Sequence, residues 1–267
     1  MGIRREAWKD PFVAANAVIA AVVLFCFFVH PTKYVRVQGE CSSTWIDVDH
    51  PSKKPVCCDR LGAGGPCYPF MRELHTLTSG QGAWTVPLAV LLFNFATTIF
   101  LPKVSMRRVA AIFNRLALYF GIMVFRTVVL YIVFNRIERA LFPRPEACWY
   151  GHLRRDKKCI DGFDHADHIV LYMVHFVAIS CFEWKALGME ATHPAKRILL
   201  RIWLAAVFVV ACYSIYHTAY SFHSAWESVV GMLSAQLFVM MPLYLLTRDL
   251  WRHIHPAFKL SHFVCQQ

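Results

Sequence analysis

"GFDHADHIVLYMVHFVAISCFEW", residues 162–184, is the stretch on which the fold turns. Its first seven positions carry two aspartates and two histidines, and an apolar run from Ile169 to Phe182 follows, broken by His175 and Ser180. Taken alone, that run is short of the about 20 apolar residues that cross a bilayer core. It reaches membrane length only if its polar flank is counted as helix. Whether it is a buried helix of a soluble protein or a span therefore depends on its neighbours.

The neighbours favour a membrane. The chain has 267 residues, of which 57% are hydrophobic and 15% aromatic, well above a soluble domain. Phe12–Val29 is apolar apart from Asn16, Trp84–Leu101 carries no charge, and Val109–Phe134 is longer but holds Arg115 and Arg126. Ile198–Tyr216 and Val229–Leu246 complete the set. The reading is an all-α integral membrane protein, a single polytopic domain over 1–267 with six transmembrane helices. They are expected near 12–30, 84–102, 109–134, 166–185, 197–216 and 225–247, with a Cys-rich lumenal loop over 31–82. The first run is read as a retained helix, because no small-residue cleavage pattern follows "FFVHPTKY".

A net charge of +11 often signals nucleic acid, but here the basic residues lie between spans, where the positive-inside effect is the simpler cause. No nucleic-acid partner is expected. "PKVSMRR" (102–108) is purely basic, and no acidic residue lies between Glu73 and Glu138. With Arg4–Arg5 and the tail "RDLWRHIHPAFK" (248–259), this sets the termini and even-numbered loops in the cytosol. The basic segment 136–158 runs against that assignment. Six of the ten cysteines, Cys41, Cys57, Cys58, Cys67, Cys148 and Cys159, fall in the two long loops on the opposite side. An even number there suits disulfide pairing in an oxidising lumen.

The chemistry gathers at two helix entrances. In "YHTAYSFHSAWESVVG" (216–231), His223 and Glu227 are four apart and share a helix face, so the carboxylate can orient the imidazole. His168 opens the fourth span and His223 the sixth. Two crossings separate them, so both lie at one membrane surface whichever way the protein is inserted. Phosphoryl transfer without a metal needs a nucleophile, an acid for the leaving oxygen and cations around the phosphate. His223 with Glu227, then His168, supply the first two, and Arg126, Arg144 and Arg154 are candidate phosphate-binding cations. Arg126 is equally readable as a structural partner of an aspartate, because an arginine inside an apolar run must be paired or face water. Two other readings stay open. His165, His168 and His175 have spacings compatible with a metal-dependent hydrolase or hydroxylase, although no HxxHH cluster occurs. Alternatively, the histidines and acids simply hold helix ends together in a non-enzymatic protein binding diacylglycerol or triacylglycerol.

The same residues resemble a known family. The 162–184 stretch is similar to the fourth-helix motif of the fat storage-inducing transmembrane proteins, which reads like GFDxSGHxFLL with a glutamate at the helix end. Gly162, Phe163, Asp164, His168, Leu171 and Glu183 carry the match. "FHSAWESVVG" resembles that family's FHTxxEKxxG through Phe222, His223, Glu227 and Gly231, and "IERALFPRPEAC" matches at Ile137, Glu138 and Cys148. Ala166-Asp167 stands where the family has Ser-Gly, and Ser228 where it has lysine. The resemblance implies a lipid phosphatase-like enzyme of the endoplasmic-reticulum membrane with its site facing the lumen. Its reaction would be cleavage of fatty acyl-coenzyme A to acyl 4'-phosphopantetheine and adenosine 3',5'-bisphosphate, supporting lipid-droplet formation. His223 would attack phosphorus, Glu227 hold its ring and His168 protonate the leaving oxygen, with Asp164 and Asp167 in support. No cofactor or metal is expected. The expected partners are a fatty acyl-coenzyme A or other lipid phosphate, neutral lipids and the membrane. His165 reads as a rim residue.

Overall fold

Six helices long and apolar enough to cross a membrane run through the computed structural model of the chain. It describes residues 10–29, 44–45, 56–57, 81–100, 105–141, 163, 165–221 and 223–265. Arg144, Arg154, Asp164, Gly162, Phe222, Cys148 and most of the Cys-rich loop lie outside the described residues. Within that loop only a two-residue antiparallel pairing is described, β1 (Thr44–Trp45) with β2 (Val56–Cys57).

The spans are α1 (Pro11–Val29), α2 (Gly82–Ile99), α3 (Met106–Leu141), α4 (Asp167–Met189), α5 (Pro194–Ser221) and α6 (Ala225–Thr247). Their form follows from the solvent: in hydrocarbon every backbone N–H and C=O must be satisfied within the segment, and a helix does this alone. α4 is the central helix. Within its membrane window 89% of the residues are buried, against 22% to 33% for the other five, all of which touch it. A helix wrapped by protein meets no lipid, so it can carry His175, Ser180 and Glu183 in its interior. This explains why its run is the least apolar of the six.

Three spans contain π-helical segments: Arg126–Val133 in α3, Tyr172–Ala178 in α4 and Gln236–Met240 in α6. Such widened turns recur at functional sites. In α6 the segment opens with Gln236, whose amide donates to Asn16 Oδ1 at 2.5 Å, giving the one polar residue of the α1 run a partner. In α4 it contains His175, held by Ala83 O at 2.8 Å and packed edge-on against Trp84.

The contacts sort the bundle into two polar ends. At one, Asp10 before α1 pairs with Lys185 of α4 (2.8 Å) and Arg248 after α6 (3.3 Å). At the same end Arg115 meets Glu183, Glu190 and the Phe263 carbonyl of the C-terminal turns. The start of α1 and the end of α6 therefore lie together, as an even number of crossings requires. The other end holds the entrances of α4 and α6.

Candidate functional site

The α6 entrance is built by a capping box. Ser224 Oγ accepts from the Glu227 N–H at 3.3 Å, and Glu227 Oε2 accepts from the Ser224 N–H at 2.7 Å. Each satisfies an N–H that the first helical turn leaves open. The box also aims Glu227, which is fully buried, so that Oε2 lies 3.7 Å from Nδ1 of His223, the residue just before the cap. That separation is an ion-pair distance, slightly long for a hydrogen bond. His223 is itself buried.

The α4 entrance packs against it. Ala166, the residue before α4, adopts the left-handed conformation (φ 50°), costly for a residue with a Cβ. The turn it makes is pressed onto Gly231 of α6. A Cβ added at Gly231 would lie 2.6 Å from His165 O and 3.1 Å from Ala166 O, both backbone atoms. Only glycine permits this approach. Gly231→Ala is therefore expected to destabilise the protein by about 1–3 kcal/mol, read as a lowered thermal midpoint in detergent, whereas Gly121→Ala, which meets nothing, should leave it unchanged or raised. Equal midpoints for the two variants would contradict the close packing of the entrances.

His165 differs from its sequence reading as a rim residue: it is buried. Its Nδ1 lies 2.7 Å from Glu138 Oε2 and its Nε2 3.0 Å from Leu130 O. With a carboxylate on one side and a carbonyl on the other, one proton must be shared between His165 and Glu138 for both contacts to be hydrogen bonds. Leu130 lies in the π segment of α3, where the wider turn disturbs the regular carbonyl ladder. His165 thus fastens α3 to the α4 entrance. Both its nitrogens are engaged, so it is no free metal ligand.

Arg126, the first residue of that π segment, is level with the first turn of α4. Its Nη2 donates to the Asp167 carboxylate, and to the Asp167 carbonyl at 3.1 Å. The guanidinium also faces the Tyr131 ring at 5.3 Å. The sequence left Arg126 divided between phosphate clamp and structural partner, and the pairing with Asp167 supplies the structural one. It also gives the negative charge beside His168 a counter-ion.

Arg126 and Asp167 form a pair, His223 and Glu227 form another, and the two helix entrances that carry His168 and His223 are in contact. His168 is exposed and His223 buried. Among the described residues, no three His, Cys, Asp or Glu side chains gather into a set that could hold a metal ion. Sequence reasoning missed the partnership of His165 with Glu138, whose only signal was a carboxylate just past the apolar run of α3. Comparison of the chain with protein-family models, curated proteins and solved structures gives no significant match.

Proposed function

We propose that the protein is a lipid phosphatase-like hydrolase of the fat storage-inducing type, cleaving a phosphoanhydride or phosphoester in a lipid-linked substrate, with fatty acyl-coenzyme A the favoured one. The observation that carries the reading is the buried His223–Glu227 pair at an α6 entrance packed against the entrance that bears His168. Glu227 faces Nδ1, so a proton held there leaves the Nε2 lone pair free to attack phosphorus. As the P–O bond to the leaving group breaks, His168 gives its proton to the departing oxygen. Water then hydrolyses the phosphorus–nitrogen bond and returns His223 to its starting state. The 3.7 Å gap between His223 and Glu227 needs to shorten by less than 1 Å to become a hydrogen bond, which is ordinary for a site awaiting substrate. The compartment that suits this site is the endoplasmic-reticulum membrane, with the termini in the cytosol and the site facing the lumen.

The test is release of adenosine 3',5'-bisphosphate from long-chain acyl-coenzyme A by detergent-purified protein, with and without a strong chelator. Turnover that ignores the chelator and is lost in His223→Ala and His168→Ala supports the reading. Chelator-sensitive turnover would move it to a metal-dependent hydrolase.

One observation favours a second reading, a non-enzymatic protein that binds diacylglycerol or triacylglycerol. Glu227 already has a structural task as the acidic member of the capping box. The variants Glu227→Gln and Glu227→Ala separate the two. Glutamine keeps the box and removes the charge, so it should retain stability while turnover falls by about 10- to 100-fold. Alanine should in addition cost roughly 1 kcal/mol of stability. Unchanged turnover in Glu227→Gln would leave the carboxylate with only its structural task.

A further inference from the structure

Arg126 is the one cation described within reach of the α4 entrance that is both buried and incompletely paired. Its side chain is 6% exposed, yet among the described residues its hydrogen bonds run through Nη2 alone, to the carboxylate and carbonyl of the single residue Asp167. The Nε–H is buried and meets no acceptor. A guanidinium presents a rigid fork of donors suited to two oxygens of one anion, and here the Nε–H arm of the fork meets no acceptor. Asp167 is the more exposed partner, with 17% of its side chain accessible, and it sits in the first turn of a long helix where an anion is favoured. It is also the residue immediately before His168.

From this geometry we infer that Asp167 is an internal stand-in for the substrate's phosphate, neutralising Arg126 while the site is empty and yielding it to a phosphate group of a lipid-linked ligand. The inference rests on the hydrolase reading for the identity of the anion. Its physical basis is that a buried guanidinium needs an anion at all times, since removing the one carboxylate paired with it among the described residues strands it in a low-dielectric setting. Asp167 meets that need through one nitrogen and can swing to water. A tetrahedral phosphate, with several oxygens, can take Nη2 and the idle Nε–H together. The displaced carboxylate then lies at the rim beside His168, and the phosphorus is held between the two helix entrances. The ligand class is an anionic phosphate on an apolar chain: the chain lies along the lipid-facing helices and the phosphate reaches the rim. Affinity is set by a contest between two anions for one cation, so the inhibitory anion is the protein's own.

The experiment is equilibrium binding of hexadecyl phosphate and of hexadecanol to the full chain in detergent, carried out in a His223→Ala background so that no turnover intervenes. Asp167→Asn is expected to bind hexadecyl phosphate at least about tenfold more tightly, because the competing like charge is gone, while hexadecanol binding stays the same. Its thermal midpoint should fall without ligand and recover with hexadecyl phosphate by more than the reference protein gains. Should that variant not fold, Arg126→Gln/Asp167→Asn removes both charges at once and is expected to lose at least about tenfold in hexadecyl phosphate affinity. Unchanged or weaker phosphate binding by Asp167→Asn, or an equal gain for hexadecanol, would overturn the inference, as would unaltered affinity in the double variant. These readouts are independent of turnover. A protein that hydrolyses acyl-coenzyme A yet fails them refutes the exchange and leaves the hydrolase standing, while one that passes them without turnover does the reverse.

Discussion

Arg115→Met is expected to cost about 3–5 kcal/mol of stability, the largest loss of any single substitution away from the α4 and α6 entrances. Arg115 lies nine residues into α3 and is fully buried. Its Nη1 donates to Glu190 Oε1 and to the Phe263 carbonyl, each at 2.5 Å. Its Nε stands 2.7 Å from Glu183 Oε1, close enough for an ion pair though without hydrogen-bond alignment. Tyr119 donates to the same Glu183 oxygen at 3.0 Å. Methionine would keep the volume and remove the cation that pairs with two buried carboxylates. It would also release the C-terminal turns, whose carbonyls at Phe263 and His262 are held by Arg115 and Asn114. The control is Arg115→Met combined with Glu183→Leu and Glu190→Leu, which removes the stranded charges and should restore much of the stability. Thermal unfolding in detergent reads both. A single variant that loses less than about 1 kcal/mol would show that the network is not holding α3, α4 and the tail together.

The second large effect concerns the two histidines. His223→Ala is expected to lower turnover at least about 1,000-fold on every substrate, since it removes the nucleophile itself. His168→Ala should behave differently. With acyl-coenzyme A the loss is expected at about 100- to 10,000-fold, the usual contribution of a general acid. With a lipid phosphoester whose leaving group is nitrophenolate, a weak base that departs without a proton, the loss should shrink to about tenfold or less. Steady-state rates for the two variants on the two substrates give the comparison. If both variants lose the same factor on both substrates, His168 is not donating the proton.

What the sequence makes legible follows what lipid demands of it. Apolar runs of sufficient length must be helices, so six spans are readable without a partner in view. The run of α4 is the instructive exception. Its hydropathy is marginal because it meets protein on all sides, and the polar residues that weaken the membrane signal, His175 and Glu183, mark its central place. Counting crossings brings the entrances of α4 and α6 to one surface, and Gly231 beneath His165 and Ala166 joins them. Partner choice is what the sequence withholds. Arg126 and Asp167 are 41 residues apart, His165 and Glu138 27, Arg115 and Glu190 75, and Gln236 and Asn16 220. Each is visible in the sequence as a polar group in or beside an apolar run. Which groups meet depends on how each helix is rotated, and a run that is apolar all round carries little periodicity to reveal it.

A phosphorus-directed nucleophile at His223 must pass through a covalent adduct, and that adduct can be trapped. Purified protein would be mixed with acyl-coenzyme A radiolabelled in its diphosphate, quenched in alkali, where the phosphorus–nitrogen bond of a histidine adduct survives, and digested. Nucleophilic attack by His223 places label on the peptide that contains it, present in wild type and absent in His223→Ala. Turnover with no labelled peptide, or label on a different residue, would contradict it.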